Sequence, residues 1–198
     1  VPKVSDEHRE NRRRQIQDAA LRSFARKGFR GTSMSDIIAE SGMSAGAIYG
    51  HYRSKSELAA AVAGRIFDRI DPSAPSGTDG DGNPLHPVDF AARILTGVAG
   101  EAIDPALPIQ VWGEATFDED VRAIFDAVYR RLRSRVELQI ALWLEKVRGH
   151  SAADAASRAG VLGVLLVGLM QGAVLQRALA DDFDPKSYFD AARPAFEI

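Results

Sequence analysis

Cysteine is absent from the 198 residues, which removes disulfide frameworks, thiolate metal sites and cysteine nucleophiles together. Histidine is scarce, with four scattered residues and no pair at metal-ligand spacing. No Glu-x-x-His pair occurs, so the usual di-metal site of a helix bundle is excluded. A glycine-rich loop ending in Lys-Ser or Lys-Thr, the form that cradles phosphates, is missing. No metal and no cofactor is expected. The most apolar run, residues 161–175, contains Gly163, Gly168, Gln171 and Gly172 and falls short of the ~20 residues of a membrane span. It reads as a buried helix. Residues 3–14 are polar and basic, so no apolar export signal is expected. A reducing cytoplasm is compatible with all of this, and no partner membrane is expected.

What is present is a chain with 45% apolar and 26% charged residues, enough for one or two compact domains with a proper core. The net charge of −2 hides an asymmetry. Residues 1–65 hold twelve Lys/Arg against seven Asp/Glu, and the remainder thirteen against twenty. A basic end on an acidic body suits a head that faces nucleic acid, although Arg9, Arg12, Arg13 and Arg14 could equally solvate an exposed helix.

Residues 32–58 carry the strongest local signals. Ser33 and Asp36 stand at capping-box spacing, Ile37 and Ile38 give an apolar face, and Gly42 offers a left-handed stop. Ser44 can cap a second short helix whose start, Ala45-Gly46-Ala47, is almost bare. Ser54 and Glu57 form another box, opening a helix through Leu58, Val62, Ile66 and Ile70. Two short helices across a tight turn, the second exposing its start, make a helix-turn-helix. A first helix over residues 8–27, with Ile16, Ala20 and Phe24 on one face, braces it.

Residues 71–87 are dense in turn formers and read as a mobile loop. Helices follow from Val88 to Ile103, around Ile109, Val111 and Trp112 after Asp104-Pro105, from Asp118 to Arg148, and from Ser151 to Ala180. A last short one, opened by Asp184-Pro185, carries Tyr188, Phe189 and Phe196. No strand is expected. The fold class is all-α: a three-helix head, residues 1–54, on a helical body, residues 55–198.

Two motifs are decoys. Gly42-Met43-Ser44-Ala45-Gly46 matches the Gly-x-Ser-x-Gly elbow, but that elbow needs a strand before it. Asp79, Asp81 and Asn83 hint at a calcium loop, yet Pro84 takes the glycine position and Phe90 that of the bidentate glutamate. An enzyme is not expected. The rival to a nucleic-acid binder is a helical scaffold for another protein.

Residues 10–65 resemble the N-terminal domain of TetR-family transcriptional regulators. The resemblance is carried by Phe24-Ala25-Arg26-Lys27-Gly28-Phe29, Gly31-Thr32-Ser33, Ile37-Ile38-Ala39, Ser41-Gly42-Met43-Ser44, Ile48-Tyr49, His51-Tyr52 and Ser54-Lys55-Ser56-Glu57-Leu58. The chain departs from that family's usual pattern at Ser41 and Met43, where Ala and Val are frequent, and at Ala47, where Thr is common. The resemblance implies a homodimeric regulator, usually a repressor, that binds a palindromic double-stranded DNA operator and is released by a small-molecule effector. It implies DNA-backbone contacts from Thr32, Ser33, Tyr49, His51 and Lys55, with Ser44, Ala45, Ala47, Gly50 and Tyr52 near base edges; Ala45 and Ala47 could meet thymine methyls. It implies an effector pocket among Phe90, Ile94, Trp112, Phe117, Phe125, Trp143 and Met170, with Glu114 or Gln171 as polar anchor. It also implies a dimer interface over about 154–180 and 185–196, with Val161, Val164, Leu165, Gly168, Gly172, Leu175, Tyr188 and Phe189. Four glycines in one helix, at 160, 163, 168 and 172, need close approach to offset up to about 1 kcal/mol each. A symmetry mate or a crowded intramolecular core would supply it.

Overall fold

The computed structural model describes residues 6–69, 77–99 and 105–197. Among them are nine α-helices, a closing 3-10 turn at Arg193–Phe196 and one isolated bridge, Thr78 to Pro84. The fold is all-α. The helices are α1 (Asp6–Gly31), α2 (Met34–Ser41), α3 (Ala45–Tyr49), α4 (Lys55–Arg69), α5 (Pro87–Ala99), α6 (Ala106–Glu114), α7 (Glu119–Lys146), α8 (Ala152–Leu179) and α9 (Pro185–Ala192). Ile70 and Asp104, expected near helix ends, lie outside the described residues. Packing divides the chain into two units, Val1–Phe67 with Leu107–Phe125, and Asp68–Ala106 with Asp126–Ile198. The first reaches beyond residue 54, taking in α4 as far as Phe67 and most of α6.

In the first unit, Ile16, Ala19, Ala20 and Phe24 of α1 are buried with Phe29, Ile37, Ile48, Tyr52, Leu58 and Val62. Full burial of an Ile, Leu or Phe side chain contributes ~1.5–3 kcal/mol, so this cluster dominates the stability of the unit. Gly28 interrupts α1 at φ 72°, ψ 166°, a backbone region essentially closed to other residues. The break lets Phe29 turn inward against Phe24, with ring centroids 5.4 Å apart. The capping box forms as expected: Ser33 Oγ accepts from the Asp36 amide at 3.2 Å and the Asp36 carboxylate accepts from the Ser33 amide at 2.9 Å. Gly42 ends α2 in the left-handed region. Arg22 and Arg26 donate to Glu40 at 2.8 and 2.7 Å, and Lys27 to Asp36 at 2.6 Å, tying α1 to α2. At the other end of α4, Arg65 donates to Asp18 of α1 at 2.6 Å.

In the second unit, α5 packs on α8 and α9 around a core that includes Phe90, Ile94, Val136, Ile140, Trp143, Leu166, Met170, Phe189 and Phe196. Residues 77–86, read from sequence as part of a mobile loop, are instead a built turn, while 71–76 lie outside the described residues. Asp79 Oδ1 accepts from the amides of Asp81 and Asn83 at 3.0 and 2.9 Å, and Gly82 has φ 82°. The buried Gln139 amide donates to the Gly77 and Leu85 carbonyls at 2.8 and 2.9 Å. Composition alone could not reveal that staple, because its other half lies on α7.

α8 is long and apolar enough to cross a membrane by length and composition, more so than residues 161–175 suggested. One face, however, is part of a core: Ala155, Ala159, Leu162, Leu166, Val167, Met170 and Ala173 are buried. The opposite face leaves Val161 at 74% exposure, with Val164, Leu165, Leu175 and Leu179 also exposed. The four glycines divide accordingly. A Cβ on Gly163 would lie 2.6 Å from Glu137 Cγ and one on Gly172 2.6 Å from Tyr188 Oη, whereas Gly160 and Gly168 have nothing within 4 Å. Gly172 and Tyr188 are therefore intramolecular partners, and the Tyr188 hydroxyl donates to the Leu169 carbonyl at 3.1 Å. Phe189 is buried in the core, which corrects its assignment to a dimer interface.

Two expectations follow for stability. Gln17 of α1 donates to the buried Tyr52 hydroxyl at 2.8 Å, so Tyr52→Phe is expected to lower unfolding free energy by ~1 kcal/mol, measured by urea denaturation. His86 is largely buried; its Nδ1 accepts from the Val88 amide at 3.2 Å, and its ring meets Trp143 edge-on at 4.8 Å. Burial, followed by the nearby Arg193, holds its pKa below the ordinary 6.5. The neutral ring is thus favoured in the fold, and its contribution is complete above 6.5 and lost as pH falls below it. The urea midpoint should begin to drop as pH falls below about 6.5, and His86→Phe should flatten that drop.

Candidate nucleic-acid interface

α3 is five residues long, capped by Ser44, whose Oγ accepts from the Ala47 amide at 3.3 Å. Ser44, Ala45, Gly46 and Ala47 are exposed, and a Cβ placed on Gly46 would meet nothing within 4 Å. The leading edge of the helix is therefore bare, as its sequence implied. Behind it, Ile48 anchors the helix in the core.

Beside this edge lies a concavity lined by His8, Arg9, Arg12 and Arg13 of α1 together with Gly42, Met43, Ser44, Gly46, Ala47, Gly50 and His51. The spacing of residues 9, 12 and 13 places them on one helical face, which was legible in the sequence. What it could not give was the partner surface. Elsewhere in the head four basic side chains face carboxylates: Arg22 and Arg26 on Glu40, Lys27 on Asp36, and Arg65 on Asp18. Lys27 first, then Ser33, hold the Asp36 carboxyl far below the usual carboxylate range, and Arg22 and Arg26 lower that of Glu40. Both acids stay charged at neutral pH, so those pairs persist.

The other expected contact residues separate by burial. Ser33 and Tyr49 are exposed, Tyr49 to 50%, and His51 is half-buried. Gly50 is exposed, but a Cβ there would come within 3.2 Å of the Gly46 carbonyl oxygen, so its smallness serves the end of α3. Tyr52, placed near base edges from sequence, is 1% exposed. It is a core residue, with Gln17 on its hydroxyl and the Arg13 guanidinium 6.0 Å from its ring centre. Thr32 is likewise buried, its hydroxyl 2.7 Å from the Gly28 carbonyl and 3.1 Å from that of Ser23. Both corrections have one cause: polar tips were read as surface groups, whereas each meets a partner inside the head. The Lys55 ammonium donates to the Phe29 carbonyl at 2.9 Å and sits 4.5 Å from that ring's centre, an intramolecular role the motif did not disclose.

The residues expected to line an effector pocket fall in different units. Phe90, Ile94, Trp143 and Met170 are buried members of the second unit's core. Gln171 there is half-buried. In the first unit, Trp112 meets Phe125 edge-on at 6.4 Å and Glu114 is half-buried. Phe117 is 90% exposed in the turn before α7.

Comparison with known proteins bears on this geometry. Residues 16–62 match the bacterial regulatory proteins of the tetR family. The chain is 41% identical over 70 residues to the HTH-type transcriptional repressor Rv1474c of Mycobacterium tuberculosis, covering 35% of this chain and 37% of that protein. It is 30% identical over 131 residues to the HTH-type transcriptional regulator TtgR of Pseudomonas putida, covering 66% of this chain and 55% of that protein. The match thus spans little more than half of these curated relatives at most. A solved structure of a proposed transcriptional regulator from Pseudomonas aeruginosa PAO1 superposes with a TM-score of 0.63 at 26% identity, covering 95% of this chain and 89% of that one. With the matched segment holding the helix-turn-helix and its brace, residues 16–62 form a helix-turn-helix domain of the tetR family, and the likeness of fold to that solved structure extends over 95% of the chain.

Proposed function

We propose that this chain binds operator DNA as a homodimer, with the bare start of α3 in the major groove and the arginines of α1 against the phosphate backbone. The observation that supports this most directly is the shared surface of His8, Arg9, Arg12 and Arg13 with Ser44, Gly46 and Ala47. Phosphate contacts supply affinity and base-edge contacts supply choice. Ser44, Ala45 and Ala47 take the base-edge role, the alanines through thymine methyls. Ser33, Tyr49 and His51 flank them toward the backbone. Lys55 is left out of that set because its ammonium already holds the Phe29 carbonyl.

The dimer reading is supported by α8, whose exposed Val161, Val164, Leu165, Gly168 and Leu175 recur at steps of three, four and seven. A contiguous apolar face of this kind marks an association site. Repression is the sign that the mycobacterial relative's name supports, and a DNA partner puts the chain in the cytoplasm. Release by a small molecule rests on the family likeness. Of the expected pocket residues, the half-buried Trp112, Glu114 and Phe125 of the first unit carry that part of the reading. The family is one of regulators rather than enzymes.

Selection of bound fragments from random duplex DNA should yield a palindrome with half-sites about one helical turn, ~34 Å, or somewhat more apart. Arg12→Ala should reduce the slope of log affinity against log salt by about one. Failure to enrich any sequence, with weak binding indifferent to salt, would favour the protein-binding scaffold instead. Separately, Leu165→Glu should convert a dimer into a folded monomer in analytical ultracentrifugation at about micromolar concentration, since it puts a charge into the desolvated face; an unchanged dimer would move the interface elsewhere.

A further inference from the structure

At the end of α1, two adjoining peptide groups are held from three directions. Gly28 leaves helical geometry there, and the following Phe29 amide acquires a partner outside its own helix: it donates to Gln110 Oε1 of α6 at 3.0 Å, across 81 residues of sequence. The Phe29 carbonyl accepts from Lys55 of α4 at 2.9 Å, and the Gly28 carbonyl takes the Thr32 hydroxyl at 2.7 Å. The Gln110 oxygen would lie 2.5 Å from a Cβ on residue 28. Glycine therefore serves twice, admitting the backbone turn and leaving space for the acceptor. The segment so fixed delivers Ser33, the cap of α2, and α2 delivers α3 through the Gly42 turn.

We propose that Gln110 is a positioning residue for DNA recognition: its side-chain carbonyl, bonded to the Phe29 amide, sets the direction in which α1 hands over to α2 and α3. This rests on the DNA-binding reading given above. Gln110 is not among the residues lining the α1 and α3 concavity, so its effect on binding is indirect. In the chain, most of α6 lies between segments assigned to the second unit, Asp68–Ala106 and Asp126–Ile198. The Gln110 bond thus makes the head's geometry depend on a residue far outside the family's matched segment, 16–62. The chemistry required is an acceptor at a set reach. Glutamate retains it, methionine fills a similar volume without a comparable acceptor, and asparagine is one methylene too short.

The test compares the full-length chain with Gln110→Met and Gln110→Glu, using the duplex recovered by random selection and an unrelated duplex of equal length. Gln110→Met should weaken binding to the selected duplex about tenfold, the scale of one donor left unpaired. Binding to the unrelated duplex should stay within about twofold and the salt slope should not change, because no phosphate contact is lost. Amide exchange at Phe29 should quicken. Gln110→Glu should restore both selected-duplex affinity and slow exchange. If Gln110→Met does not fold, Gln110→Asn must show the same loss. A Met or Asn variant that folds and binds the selected duplex like wild type overturns the proposal, as does a Glu variant that loses as much as Met. Wild-type chain that binds neither duplex overturns the DNA-binding reading and this one with it.

Discussion

The head depends on the chain leaving the helix at Gly28. A side chain at that φ and ψ would be strained whatever surrounded it, whereas the clash with Gln110 alone could be relieved by moving a flexible side-chain end. Backbone conformation is therefore the stronger constraint. From it follow the inward Phe29, the Thr32 hydroxyl on the Gly28 carbonyl, and the position from which Ser33 caps α2. The ion pairs across α1 and α2 are solvent-exposed and contribute little to stability. Burial of Phe24, Phe29, Ile37, Ile48 and Tyr52 holds the helices together, and the pairs select which face of α2 meets α1.

Those same pairs shape the electrostatics. A count over residues 1–65 gives a basic head, but a charge opposed by a carboxylate at 2.6 to 2.8 Å projects little field beyond its partner. Pairing neutralises the α2-facing side of α1, while Arg9, Arg12 and Arg13 stand beside α3 with Asp6, Glu7 and Glu10 interleaved on the same helix. The useful quantity is the distribution of unneutralised charge, which requires knowing which side chains meet.

Local features were legible in the sequence because their partners lie within a few residues. The Ser33–Asp36 box, the Gly42 stop, the Ser44 cap and the long stripes of α7 and α8 are set by short-range geometry. Errors came where the partner is distant. Tyr52 meets Gln17, Gln139 staples a turn some sixty residues earlier, and Phe29 meets Gln110. None has a periodic signature. Phe117 failed differently, since an aromatic residue was taken for pocket lining and lies open in a turn.

The glycines of α8 show how one helix meets two demands. Each costs helix propensity relative to alanine, and close packing offsets that cost only where something approaches. Glu137 and Tyr188 approach Gly163 and Gly172 from within the unit, so for those two the intramolecular explanation suffices. Gly160 and Gly168 have open space instead, and Gly168 lies among exposed valines and leucines. A soluble helix keeping an apolar, glycine-containing face toward water would be disfavoured twice, by exposure and by propensity. Both penalties fall away if another helix packs there, and the small residues set how near its backbone can come.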